Sequence, residues 1–108
     1  MANTFKLKSK KNVGITTSDI YVVPGSTTTV VIGITLANIS GTGCNVGIGI
    51  ERNSADNINL IKNAPIPQGS SLEFMSGNKI VLEATDKLTV NSDTNNSVDV
   101  ALTIMEIT

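Results

Sequence analysis

The sequence predicts an all-β fold: a single-domain antiparallel β-sandwich, jelly-roll-like or Greek key, of about eight strands. Three observations predict it. The large apolar residues are mostly Val and Ile, with two Phe, one Tyr and no Trp. Such β-branched side chains are stiff at χ1 and suit a pleated, half-buried surface. They alternate with polar or small residues at period two in short runs, the spacing of a strand with one face on a core. Clusters of Gly, Pro, Asn, Asp and Ser separate these runs, and no run carries the helical period. The 108 residues fit one domain, 1–108, because no linker composition interrupts them. A chain of this length buries about two thirds of its unfolded surface, enough for one modest core.

The elements follow in order. Residues 1–11 form a basic N-terminal strand or arm. Within "TFKLKSKKNV" the alternation predicts Phe5 and Leu7 inward and the lysines outward. "DIYVVP" is a second strand, closed by Pro24, Gly25 and Ser26. From Val22 to Ser40 no side chain is charged. Here Val30, Ile32, Ile34 and Leu36 are expected on one large aliphatic face, with Val31, Gly33, Thr35 and Ala37 on a small one. Asn38 ends the alternation, and "NISGTG" supplies a turn. "CNVGIGIE" repeats the design, with Cys44, Val46, Ile48 and Ile50 opposite Asn45, Gly47, Gly49 and Glu51. These two strands are expected to pair as an antiparallel ribbon. "RNSADN" is a polar loop and "INLIKNA" a short strand. "PIPQGSS" is an extended edge or connector, since Pro65 and Pro67 have no N–H to donate. "SLEFM" places Leu72 and Phe74 inward, and "SGN" turns. "KIVLEAT" sets Ile80, Leu82 and Ala84 against Lys79, Val81 and Glu83. Thr85 and Asp86 connect tightly to "KLTVNS", with Leu88 and Val90 inward. "DTNNS" is a turn, because Asn and Asp tolerate left-handed backbone. The last strand sets Val98, Val100, Leu102 and Ile104 against Asp99, Ala101, Thr103 and Met105.

Charge is unevenly spread. Lys6, Lys8, Lys10 and Lys11 are four of the eight basic residues, whereas residues 12–108 hold four basic and nine acidic groups, a net charge of −5. The lysines either guard an edge strand against wrong pairing or dock on an acidic protein partner. Nucleic-acid binding calls for more positive charge and for aromatic stacking platforms, which are missing. The one cysteine, Cys44, cannot form an internal disulfide, and no secretory leader or membrane-spanning apolar run is recognisable. A product of a reducing cytosol with no membrane partner is expected.

The residues offer little chemistry. There is no His, which removes the commonest general base and metal ligand. A lone Cys without His makes no thiol nucleophile, and Cys44 at an inward strand position is expected to be a small buried hydrophobe. Glu83 and Asp86 lie three apart across an expected turn, and Asp93 and Asp99 flank another, but glycoside chemistry also wants a cleft and aromatic sugar platforms. "RNSADN" and "NSDTNNS" supply oxygens without the spacing of a calcium loop. The glycines of "GTGCNVG" open no helix and cradle no phosphate. The expectation is therefore a protein that is not an enzyme, with no catalytic residue, cofactor or metal.

The blocks "MANTFKLKSKKNVG", "IYVVPGSTTTVVIGITLANIS", "IKNAPIPQGSSLEF", "GNKIVLEATDKLTV" and "SVDVALTIMEIT" resemble, in the same order, a family of small structural virion proteins of tailed bacteriophages. Members occur in phages of aquatic bacteria, including cyanobacteria. The resemblance spans nearly the whole chain, but it lies in strands and turns, so it marks kinship better than task. It implies a virion protein made in the host bacterial cytoplasm, in first place a capsid decoration or cement protein that binds and stabilises the shell. A neck, tail or fibre-attachment component is the alternative. A host-glycan-binding module comes third, since Tyr21 is the only Tyr or Trp available to stack on a sugar. The implied partners are further copies of the chain, a trimer favoured, and other virion proteins such as the major capsid protein. On this reading Lys6, Lys8, Lys10 and Lys11 are the docking residues. Gly33, Ala37, Gly47 and Gly49 let two sheets or two subunits approach, and Thr27, Thr28 and Thr29 offer uncharged hydroxyls at an interface. Alternatively, the small residues fit the domain's own second sheet.

Overall fold

Strands form wherever alternation and turn clusters meet: β1 (Asn3–Val13), β2 (Ser18–Val22), β3 (Thr28–Asn38), β4 (Cys44–Glu51), β5 (Ile58–Ile66), β6 (Ser71–Phe74), β7 (Ile80–Leu82), β8 (Lys87–Ser92) and β9 (Val98–Ile107). The computed structural model describes residues 3–52, 55–74 and 79–108, with Phe74 by its backbone alone. The inward Phe74, the "SGN" turn and part of the "RNSADN" loop lie outside the described residues.

The strands make two antiparallel sheets. The first has the order β1-β9-β3-β6, with β7 also on β3, and the second the order β2-β8-β4-β5. β7 pairs with Thr29–Val31 and β6 with Ile34–Ala37 of the same strand, so together they fill one strand position. Counted that way, there are eight positions. Every connection crosses between the sheets except those from β4 to β5 and from β6 to β7. This is the nested Greek-key order of a jelly roll.

The expected ribbon of β3 with β4 does not form; the two strands lie in opposite sheets. Both have an aliphatic face to bury, and facing each other across the sandwich buries both at once. Asn38 fixes the crossover. Its Nδ2 donates to the carbonyls of Thr42 at 2.8 Å and of Ile66, on β5, at 2.9 Å. Its Oδ1 accepts from the Ser40 N–H at 2.9 Å and the Ser40 hydroxyl at 2.7 Å. A buried amide with all these bonds made stabilises the crossing rather than opposing it.

The core is aliphatic. Val31, Ile34, Leu36, Leu82, Val100, Leu102 and Ile104 from the first sheet meet Cys44, Val46, Ile48, Ile50, Leu88 and Val90 from the second. Each fully buried Val, Leu or Ile contributes roughly 1.5–3 kcal/mol against exposure. The inward sets expected for β4, β8 and β9 are buried as read.

Two faces differ from expectation. In β3 a bulge between Val31 and Gly33 sets two residues against one of β9. The core-facing set therefore runs Thr27, Thr29 and Val31 before it and Ile34, Leu36 and Asn38 after it, and Val30 and Ile32 turn outward. In β1 the reading inverts. Lys6, Lys8 and Lys10 pair with Ile104, Leu102 and Val100, all on the inner face, while Phe5 and Leu7 pair with Met105 and Thr103 on the outer face. Phe5 and Leu7 are each 69% exposed. β2 has its own bulge, between Asp19 and Tyr21, which lets both Ile20 and Tyr21 point inward.

Candidate assembly surfaces

One buried polar cluster lies at the end of the sandwich where Thr29 of β3 stands opposite Glu106 of β9. The β2 bulge swings Tyr21 into the same space. Its hydroxyl donates to the Glu106 carboxylate and lies 2.9 Å from the Thr29 hydroxyl. Lys6 reaches across from β1 and closes an ion pair with Glu106 at 2.7 Å. The Lys8 ammonium sits over the Tyr21 ring, 5.9 Å from its centre, a cation–π contact. Glu106 is only 6% exposed. Its carboxyl is held below the ordinary range by the bond from Lys6, then by that from Tyr21, against the opposing effect of burial. Tyr21 is pushed up to about 12, chiefly by burial and then by the bond to Glu106. The cluster ties β1, β2, β3 and β9 together with no polar atom left over.

Lysines expected to point at a partner thus divide. Lys6 and Lys8 are engaged within the chain, and Lys10 and Lys11 make no ion pair among the described residues. Lys11 lies in a bulge that ends the regular pairing of β1, where Asn12 adopts φ 56° and its N–H donates to Asp99 at 3.0 Å. The residues 1–11 are therefore, from Asn3 onward, a strand of the first sheet. Thr27 and Thr29 face the interior. Thr27 donates to the Gly25 carbonyl at 3.2 Å, and Thr29 is in the Tyr21 cluster, so of the three threonines only Thr28 is exposed.

Among the described residues no layer covers the outer face of the first sheet, where Phe5, Leu7 and Val81 are exposed, Val81 by 60%. Val30, Ile32 and Met105 are half-buried beside them. Gly33 lies on this face, and a Cβ there would meet nothing within 4 Å. Ala37, half-buried, shares it. Gly47 and Gly49 lie on the outer face of the second sheet, but their space is taken by the chain itself. A Cβ on Gly47 would stand 2.7 Å from Asn91 Oδ1, and one on Gly49 3.0 Å from the Ile58 carbonyl. They floor an open groove of ≈ 370 Å³ walled by Asn59, Lys62, Asn63, Thr89 and Asn91.

The carboxylate pair Glu83 and Asp86 is an ion cluster with Arg52. Asp86 accepts from the Glu83 N–H at 2.9 Å, closing the turn, and Arg52 Nε lies 3.4 Å from the same side chain. Both acids are thereby paired with one guanidinium. Asp93 accepts from the Asn45 N–H at 3.0 Å. Among the described residues no three of His, Cys, Asp and Glu converge as metal ligands. Cys44 is 3% exposed. Tyr21, with its ring buried and its hydroxyl bonded, presents no sugar platform.

The strand order, the inward-turned polar cluster and the exposed apolar residues of the first sheet's outer face define a jelly-roll module. No family model and no curated protein matches the chain. Solved structures do. A protein of the Bacillus endospore appendages, a family of disulfide-linked pili, matches with TM-score 0.60 and 16% identity, covering 99% of this chain and 87% of that one. A chain of the acidic stable capsid of Helicobacter pylori bacteriophage KHP30 matches with TM-score 0.59 and 11% identity, covering 100% and 94%. At these identities the likeness shows a common fold.

Proposed function

We propose that this chain is a non-enzymatic structural protein of a bacteriophage virion, and within the virion a capsid decoration protein. It binds the outside of the shell as a small homo-oligomer, a trimer favoured, and stabilises it. The observation that carries the reading is the pairing of a bare apolar sheet face (Phe5, Leu7, Val81) with a basic strand at its edge. Contiguous exposed apolar surface of this kind belongs to interfaces, and the body it adjoins is acidic. The fold likeness to a capsid chain supports this reading, as do the sequence blocks above. The likeness to a pilus protein supports assembly in a wider sense. Cys44 is too buried to link copies through disulfides, so contacts between copies of this chain are non-covalent.

The test is addition of purified protein to shells of the parent phage that lack it. Saturable binding at shell symmetry axes, with a raised shell melting temperature, is expected. Binding only at the tail vertex assigns the protein to the neck or tail. No binding to any part of the particle overturns the reading.

A further inference from the structure

Among the described residues β1 is the one long sheet edge left open. It runs eleven residues without proline and pairs only with β9. β2 has five residues, β6 four and β7 three, and β5 carries Pro65 and two register shifts against β4. From Asn3 to Lys10 the ladder with β9 is regular. Alternate residues there turn N–H and C=O away from β9, a row of backbone groups ready for another strand.

The side chains decide which strand is admitted. On the inner face Lys6 is neutralised by Glu106 and Lys8 lies over the Tyr21 ring beside the same carboxylate, whereas Lys10 makes no ion pair among the described residues; three positive charges against one carboxylate leave this face basic. Two copies pairing β1 to β1 about a twofold axis would set lysine opposite lysine, a like-charge arrangement that destabilises a sheet. A strand with carboxylates two residues apart on that face meets opposite charge instead. On the outer face Phe5 and Leu7 stand exposed beside Met105 and Thr103, and apolar side chains there gain cross-strand contact. We propose that the open edge of β1 is a strand-addition site for an extended segment of another virion protein in which acidic and apolar residues alternate. The main chain supplies the binding energy of such an addition and the alternate side chains its selectivity. This rests on the assembly reading above and names the partner's chemistry.

The experiment uses the whole protein and a capped octapeptide of alternating Glu and Val. Titration at low salt with amide hydrogen exchange reads both affinity and place. Slowed exchange is expected at alternate amides between Asn3 and Lys10. Affinity should exceed that of the same residues in blocked order (four Glu, then four Val) by about tenfold or more. Lys10→Glu, at an exposed and unpaired position, should weaken the alternating peptide by about tenfold and favour a Lys/Val peptide. Equal affinity for the blocked peptide, unchanged β1 exchange, or indifference to Lys10→Glu overturns the proposal. Shell binding without peptide addition leaves the virion role standing and removes this site; peptide addition without shell binding does the reverse.

Discussion

Glu106 sits on the last strand with its carboxylate turned inward, and three residues from three other strands meet it there. Such a group is tolerated because Lys6, Tyr21 and, through Tyr21, Thr29 complete its bonds; an unpaired buried carboxylate would neutralise or destabilise instead. Tyr21→Phe keeps the ring and removes the hydroxyl bond. Its expected cost is about 1.5–3 kcal/mol, the range for a bond to a charged acceptor, read from urea midpoints. The pH dependence has two limbs. Glu106 titrates below its ordinary value of 4.5 when folded, so its contribution is present above that value and is lost as pH falls through the folded pKa. Tyr21 is raised from 10.0 to about 12, so its contribution is complete below pH 10.0 and is lost as pH rises towards 12. Tyr21→Phe should flatten the alkaline limb; an unchanged limb would show that Tyr21 does not couple to folding. None of this cluster is legible along the chain, because residues 6, 21, 29 and 106 meet only after four strands have paired.

At the scale of the strand, the bulges matter most. β3 holds Thr29 and Ile34 on one face because Ile32 is the extra residue, and the neighbouring Gly33 is the mark of it in the sequence. Gly33 has open space above it, so Gly33→Ala should leave thermal stability nearly unchanged. Gly49→Ala should cost about 1–3 kcal/mol, the usual range for overpacking, because its Cβ meets the Ile58 backbone of β5. Equal effects at the two positions would contradict the packing described. Strands buried on one face were legible: β4, β8 and β9 each alternate cleanly and each lies inside its sheet. β1 was legible as a strand but not in phase. An edge strand exposed on both faces carries no burial signal, and its apolar residues are free to face either way. Two successive strands with small second faces suggest a β3–β4 ribbon, whereas Asn38 bends the chain across the sandwich.

For the whole molecule, the sandwich encloses the Glu106 cluster and, among the described residues, leaves apolar side chains on its outer sheet face and one basic edge exposed. Attachment through Lys10 and Lys11 should weaken as ionic strength passes roughly 0.15 M, where the Debye length is about 8 Å. Salt-independent attachment would assign binding to the apolar face alone. Cys44 should resist thiol reagents in the native protein and react on unfolding, since it lies in the core. The most direct test of the central claim, that this jelly roll is a part built into a viral shell, is a quantitative mass-spectrometric count of the chain in purified particles of the parent phage. The account predicts a copy number of the same order as that of the major shell protein. Particles that lack the chain, while it remains free in the infected cell, would contradict it.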